Sequence, residues 1–595
     1  MSILTRLQRA SSLHDLAVIL NYSPSSLAYL VYKKQDKYTS FEIPKSSGGN
    51  RVIQAPCPEL KKLQRKVKTL LEDCILLIDK KKPTLKSLSH GFKKEHSIAS
   101  NAYPHRKKLY VFNIDIKDFF GSIHLGRIRG FLINNSDFQL NPRIATILSQ
   151  IICHQDKLPQ GSPTSPIASN LLGHLIDLRM VQLAKKTGCG YSRYADDLTF
   201  STNKSEFPRE IAYRLEDTHD WVPGSAILKI IHKCGFSLNH QKTRMQYSRE
   251  QQTVTGIVVN QFANTPVAFR QTVRAMTHKL FTNGEYFTKE KPKHSNDSAA
   301  IPLNHKNLNP LEGMFSYIFM LNEFNRNNKL HNNKKQRYED LPKSSLEKLH
   351  GDFLFYRYFY ASYAPTIICE GKTDNIYLTC AIKSLHSQFP LLGGLDPNGK
   401  VKLKVRFFNY SKLTHRVMNL NGGTSDLANF VRGYAKQCGK YKGHPPLHPT
   451  IIFIDNDCGS QPIFNAIKEV TKEKYSTPGP NGKGRVFDSS RIIYSIAQNL
   501  FVILTPKIKG KDSMIEHFFN KKLLQTTYKG KKFEVISNAP SKHNYSKHIF
   551  AQHIVKPNQK TISFYKFSPL LKSITQVLKS YPKIQLLDKP DDLIT

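Results

Sequence analysis

The stretch YSRYADDLTFS, Tyr191–Ser201, constrains this chain more than any other. Aromatic and β-branched residues on either side read as two strands, and the adjacent aspartates Asp196 and Asp197 fall at their junction. Side chains alternate faces along a strand, so neighbouring carboxylates cannot both point one way on an ideal strand. A hairpin turn relaxes that rule and holds at least one carboxylate at the tip, where it can bind a divalent cation. Magnesium takes oxygen ligands, typically one or two carboxylates with substrate phosphates. Taken alone, an Asp-Asp pair closing a surface hairpin is ordinary. An aspartate upstream changes that.

The upstream landmark is YVFNIDIKDFFGSIH, Tyr110–His124, an apolar strand running into Asp115. A carboxylate at the end of a buried strand is costly unless paired or bound to metal. Asp115 is therefore read as the partner of Asp196 and Asp197. Three carboxylates with two magnesium ions would make the two-metal arrangement for in-line phosphoryl transfer. Asp118, close behind, reads as a surface or capping carboxylate. Residues 11 to 35 read as short amphipathic helices, and residues 38 to 56 as a hairpin with Gly48 and Gly49 in its turn. Lys45 and Arg51 on that hairpin are either a grip on a triphosphate or ordinary exposed cations. Cys153–Gly188 opens as a Pro/Gly/Ser loop and becomes a helix from Ser169 or Asn170 to Gly188. The glycine beside Gln160 would let backbone approach a base pair or sugar closely.

Bulk properties agree with a polyanionic partner. The 595 residues hold 88 Lys+Arg against 45 Asp+Glu, a formal charge of +43, with 10% aromatic residues. That excess, spread along the chain, suits nucleic acid better than a membrane surface. The length predicts two to four domains. Nine cysteines without CxxC pairing argue against a zinc ribbon or a disulfide framework. No segment reads as membrane-spanning, so a bacterial cytoplasmic location is expected.

The order of these motifs resembles a reverse transcriptase. NIDIKDFF is similar to the first palm motif, LPQGSPTSP to the second and YADD to the third. GFSLNHQKTR, Gly235–Arg244, is similar to the fourth, and VTGIVVN, Val254–Asn260, to the element gripping the primer end. The resemblance implies that Asp115, Asp196 and Asp197 bind the metals. It also implies that Phe120 is a steric gate against the ribose 2′-OH, that Gln160 lies along the incoming nucleotide, and that Arg51 and Lys242 meet its phosphates. Within that superfamily the chain most resembles the retron enzymes. NAYPH matches the retron NAxxH element through Asn101 and His105, and Val254, Thr255 and Gly256 match the second retron signature. These five are the candidate RNA-binding residues. The likeness implies a cognate structured non-coding RNA (msr-msd), priming from a guanosine 2′-OH, dNTP substrates and a branched RNA–DNA product.

The second half begins another unit. FSYIFMLNEFNRNNKLHNNKKQRYEDLPKSSLEKLH, Phe315–His350, starts as a helix and then reads as a solvated basic linker. Beyond it a buried strand, Thr366–Cys369, ends at Glu370 and leads into a helix. Pro449–Ser460 is another apolar strand, ending in Asp455 and Asp457. An i,i+2 pair shares one face of a strand, so both could hold a metal with Glu370. FVILTPK gives a third strand, and Glu516 sits on a short helix. EGKTD and DND at two such strand ends resemble a Toprim domain. The resemblance implies a general acid/base role for Glu370, magnesium ligation by Glu370, Asp455 and Asp457, a weaker ligand in Glu516, and a phosphate-binding role for Lys547.

The expected architecture is thus an α+β right-hand polymerase of fingers, palm and thumb over residues 1–325. A thumb end and basic linker would follow over 326–362, and an α/β, Rossmann-like Toprim domain over 363–595. Two magnesium ions are expected in the first site and one or two in the second. The joint resemblance is to Toprim-fused retrons, which implies anti-phage defence through a toxic nuclease whose substrate is tRNA, other RNA or DNA. Two other readings stand beside it: a particle in which the reverse-transcribed DNA inhibits or positions the Toprim domain, and a mobile-element reverse transcriptase. Oligomeric state is open, with a homo-oligomer among the options.

Overall fold

The computed structural model describes residues 1–581 apart from 46–47, 82–88, 219, 290–301, 306, 333–340, 479–484 and 535–543. Two compact units emerge from the contacts: residues 1–267 with 320–331, and residues 268–319 with 332–595.

In the first unit, β1 (Tyr38–Pro44) and β2 (Asn50–Pro56) form the expected hairpin, antiparallel with Tyr38 opposite Pro56. It buries little: Phe41, Ile43 and Val52 are all exposed. Helix α1 (Pro58–Lys81) turns Leu60, Leu63, Val67, Leu70, Leu71 and Cys74 inward, a helical stripe beneath a lysine-rich face. A four-stranded antiparallel sheet carries the acidic stretches. Its strands are β3 (Tyr110–Asp115), β4 (Gly190–Tyr194), β5 (Asp197–Thr202) and β6 (Arg244–Tyr247), in the order β4-β5-β3-β6. Helix α2 (Ser165–Thr187) packs on it through residues that include Leu172, Ile176 and Met180. The helix starts four residues before the expected Ser169, because Pro166 in its first turn forfeits no intrahelical bond. It stops at Gly188, as expected, where the glycine adopts φ 70°, a left-handed cap. Beyond β6, β7 (Thr253–Val254) and β8 (Ile257–Val258) make a minimal hairpin. Its two turn residues, Thr255 (φ 47°) and Gly256 (φ 79°), are both left-handed.

The second unit is a three-layer α/β structure. Its strands are β9 (Thr366–Cys369), β10 (Arg406–Phe407), β11 (Thr450–Ile454), β12 (Ile493–Ala497) and β13 (Leu500–Leu504), in the order β10-β9-β11-β13-β12. All neighbours are parallel except the β13–β12 pair at one edge. The alternation of strand side chains feeds two separate cores. Ile367, Cys369, Ile451, Phe453 and Ile503 join helix α3 (Lys372–Ser384), while Ile368, Ile452, Ile454, Val502 and Leu504 join helix α4 (Thr424–Cys438). A sheet covered on both faces explains why its central strands read as unbroken apolar runs.

The observed grouping differs from the expected boundaries at 325 and 363. Val273, Met276, Leu280 and Phe315 share one core with Phe353, Tyr356 and Phe359. Part of the expected linker is therefore folded: Ser345–Phe355 is a helix with a Ser344/Glu347 capping box, and it buries Phe353 and Leu354. Its last three residues, Phe353, Leu354 and Phe355, are apolar, behind the basic composition that suggests a solvated linker. Residues 333–340 of that linker lie outside the described residues.

Candidate functional site

Two acidic clusters stand out, one in each unit. In the first, Tyr194 pairs with Asp197, so Ala195 and Asp196 form a two-residue turn, with Ala195 at φ 56°. On the other side of β5, Asp197 lies directly opposite Asp115 at the end of β3. Strand register and the two-residue turn thus gather three carboxylates at one end of the sheet. Their electrostatics reflect it. Burial, then the charges of Asp196 and Asp115, pushes Asp197 up to about 6. Burial and Asp115 likewise raise Asp196, against the opposing charges of Lys242 and Arg51.

Lys242 reaches this cluster rather than standing apart. Its Nζ donates to Asp115 Oδ2 at 2.9 Å. Burial alone would lower the ammonium, but the bond and the three carboxylate charges carry it above its ordinary value. Arg51 is exposed on β2, and the backbone N–H of Gln54 donates to the carbonyl of Gln160 at 2.7 Å. Gly161 permits that approach: a Cβ there would stand 2.6 Å from the Gln54 carbonyl oxygen. Phe120 is half-buried, with its ring 5.8 Å from Phe119 and 6.2 Å from Phe92. Asp118 is exposed.

The candidate RNA-binding residues are placed differently from expectation. Asn101, His105 and Val254 are fully buried, so their side chains do not face solvent. His105 Nδ1 and Nε2 bond Ser201 Oγ at 2.7 Å and Ser192 Oγ at 2.8 Å, and Ser192 Oγ donates to Asn101 Oδ1. The NAxxH element therefore buttresses β4 and β5, which corrects the reading of these three as RNA contacts. A short polar motif shows that its side chains need partners but not which ones. Thr255 is half-buried and Gly256 exposed, at the tip of the β7–β8 hairpin.

The second cluster lies at the carboxyl ends of β9 and β11. Glu370 follows β9, and its backbone N–H donates to Phe453 O at 3.2 Å. Asp455 and Asp457 lie beyond the end of β11 and not on it, so the expected shared strand face does not exist. Asn456 leaves the strand to bond Ser513, Asp455 Oδ1 accepts from the Ile515 N–H at 2.8 Å, and Asp457 caps the turn Cys458–Ser460. The acidic groups nonetheless influence one another. Burial, then Asp457, raises Glu370; burial, then Asp374 and Glu516, raises Asp455 well above the carboxylate range. Glu516 is fully buried on the short helix Ile515–Phe518, with Lys547 Nζ 3.2 Å from its Oε1. Sequence reading missed Asp374. Its Oδ2 accepts from the Gly371 N–H at 2.8 Å to cap α3, and burial, then Glu516, pushes it up to about 7. The i,i+4 spacing in EGKTD was the available signal.

The donor chemistry of both clusters suits a hard cation. In the second, Glu370 Oε2 and Glu516 Oε2 are buried without a hydrogen-bond partner, and such atoms call for a cation. Among the described residues, no three His, Cys, Asp or Glu side chains stand close enough to enclose one ion as they are placed.

The comparisons agree with the first cluster. The family model described as reverse transcriptase (RNA-dependent DNA polymerase) matches residues 43–259, which contain all three of its aspartates. The retron Ec86 reverse transcriptase of Escherichia coli is 31% identical over 253 residues, covering 42% of this chain and 72% of that protein. The retron Mx162 and Mx65 reverse transcriptases of Myxococcus xanthus are each 32% identical. These matches span 53% and 44% of this chain, and 64% and 62% of those proteins. The first cluster thus sits within a reverse transcriptase fold. The chain belongs to the retron reverse transcriptase family. No helix among the described residues is long and apolar enough to cross a membrane.

Proposed function

We propose that this chain is a retron RNA-directed DNA polymerase that copies a cognate structured non-coding RNA from dNTPs, starting at a guanosine 2′-OH, and yields a branched RNA–DNA hybrid. The observation that carries this reading is the register of β3 and β5, which sets Asp115 opposite Asp197 beside the Asp196 turn. In each step the attacking hydroxyl forms a bond to the α-phosphorus of the dNTP, and the bond to pyrophosphate breaks. Magnesium ions held by Asp115, Asp196 and Asp197 would supply charge to acidify the hydroxyl and to stabilise the leaving oxygen. Arg51, on its exposed strand, would steady the phosphates. Lys242, now on Asp115, would either shift to the triphosphate or stay to balance the carboxylates. The ring of Phe120 would limit space at the sugar, and the loop at Gln160 would line the nucleotide.

For the second unit we propose a magnesium-dependent Toprim nuclease over about residues 363–595, acting as the toxic effector of an anti-phage system. Support comes from acidic groups at the carboxyl ends of adjacent parallel strands, where α/β folds carry their sites. Glu370 would move a proton, while Asp455, Asp457 and Glu516, with Asp374, would hold the ions and Lys547 a phosphate. The polymerase would occupy the chain up to about residue 325, its thumb formed by helices that pack with the second unit.

The test is Asp197→Asn. DNA synthesis should fall by about three orders of magnitude, because such ligands act as a unit. Synthesis at the wild-type rate would remove the polymerase assignment. Cell toxicity with and without that substitution, measured alongside, reports whether the DNA restrains the second unit.

A further inference from the structure

The turn that presents Asp196 and Asp197 is not free-standing. Arg193, two residues before Ala195, is fully buried, as is Asp177 on α2. Arg193 Nε and Nη2 donate to the two Asp177 oxygens at 2.7 and 2.8 Å, a bidentate pair. The third arm is directed elsewhere: Nη1 donates to the Ala195 carbonyl at 2.9 Å, inside the turn. Tyr191 completes the arrangement by donating its hydroxyl to Asp177 Oδ1 at 2.8 Å. Space for the guanidinium comes from Gly173, where a Cβ would stand 2.7 Å from Arg193 Cζ.

A second tether reaches the same turn from the same helix. Asn170 Nδ2 donates to the Gly91 carbonyl at 2.8 Å, and Ser89 Oγ donates to Asn170 Oδ1 at 2.8 Å. Gly91 lies so close under the turn that a Cβ would be 2.8 Å from the Ala195 backbone nitrogen. Asn170, Gly173 and Asp177 fall at i, i+3 and i+7, one face of α2. That face touches both sides of Ala195, the carbonyl through Arg193 and the amide through Gly91.

We infer that Arg193, held by Asp177, is a positioning residue that fixes the Ala195 peptide and thereby sets where Asp196 and Asp197 stand relative to Asp115. The inference rests on the polymerase reading of those aspartates and goes beyond it. A buried ion pair is a weak source of stability, since apolar residues of similar size often replace one at no cost. Stability therefore gives little reason for this pair. The third donor gives a specific one, because only a planar fork can grip a carboxylate and a neighbouring carbonyl at once. A left-handed alanine also needs such support, since that conformation is unfavourable for a residue with a Cβ.

Two variants test it. Arg193→Lys keeps the charge but not the fork, and the triple change Tyr191→Phe, Asp177→Leu, Arg193→Met replaces the buried polar set with apolar groups. Each would be assayed on an oligonucleotide-primed homopolymer RNA, with kcat, KM for dNTP and the half-saturating magnesium concentration measured, and folding checked by thermal unfolding. We expect kcat to fall by about 10²-fold, as for a displacement of about 1 Å at the reacting groups. Half-saturating magnesium should rise several-fold while KM for dNTP changes less than about threefold, since Arg51 and Gln160 are untouched. A folded variant of either kind with wild-type kcat and magnesium dependence overturns the inference, and if the triple variant does not fold, Arg193→Lys alone decides. Asp197→Asn in parallel separates the two claims. Normal synthesis by that variant removes the polymerase site itself; its inactivity beside a normal Arg193→Lys removes only the positioning role.

Discussion

The two acidic clusters solve one problem with opposite backbone geometries. In the first unit, antiparallel strands bring Asp115 and Asp197 face to face, and a two-residue turn adds Asp196. Only three residues are needed, and register places two of them. In the second, parallel strands end side by side; the loops leaving them carry Glu370, Asp455 and Asp457, and the first turn of α3 carries Asp374. The cations differ too. Lys242 lies on Asp115 with 57% of its side chain exposed, whereas Lys547 faces a Glu516 that is wholly buried. A cation at an open site can be displaced by substrate or metal at small cost. Removing a cation beside a buried carboxylate leaves that charge unpaired, at larger cost.

The comparison breaks most sharply on single charge neutralisations. Asp115→Asn should lower DNA synthesis by about three orders of magnitude and leave second-unit cleavage or toxicity intact, and Asp455→Asn should do the reverse. Primer-extension yield and a cell-viability assay on both variants check it, and loss of both activities in either variant would mean that the sites are not separate. Next in size is the lysine contrast. Lys547→Met leaves the Glu516 charge buried and unpaired and should cost about 3 kcal/mol of stability. Adding Glu516→Gln should restore much of that loss. Lys242→Met should cost less than about 1 kcal/mol, as expected for a largely exposed partner. Denaturant unfolding of the four proteins gives the answer, and equal losses for the two lysines would erase the distinction.

The smallest effect concerns acid. Burial holds His105 neutral, down to about 3 against an ordinary value near 6.5, with His90 and Lys108 adding to the shift. A histidine depressed in the folded state binds its proton first in the unfolded chain. Its contribution is present above about pH 6.5 and is lost as pH falls below that, by about 1.4 kcal/mol per pH unit. His105→Gln should flatten the fall of first-unit stability between pH 6 and pH 4 by about one proton, read from the slope of unfolding free energy against pH. An unchanged slope would show that His105 does not titrate on unfolding.

Local periodicity carried most of the fold that was legible in the sequence. The hairpin over 38–56, the strand into Asp115, the YADD hairpin and the strands at 366–369 and 450–454 all lie in short runs whose alternation or apolar continuity is self-contained. What the sequence hid depends on partners far away. Edge strand β12, antiparallel to its neighbour, has no pattern marking its direction. Nothing in YSRYADD marks Arg193 as buried, because its partner Asp177 lies 16 residues back on a helix. The NAxxH element looked like a binding motif because the hydroxyls that satisfy it, Ser192 and Ser201, belong to other strands. Asp455 and Asp457 were assigned to a strand face because nothing in FIDND announces that the strand stops at Ile454.

The bond between Gln54 and Gln160 has a mechanical consequence. The β1–β2 ribbon is anchored at its root and bare along most of its length, the geometry of a lever with that bond as its pin. Gly161 removes any slack, since no side chain separates the two backbones there. A displacement at Arg51 would be passed three residues along the strand to the Gln160 backbone.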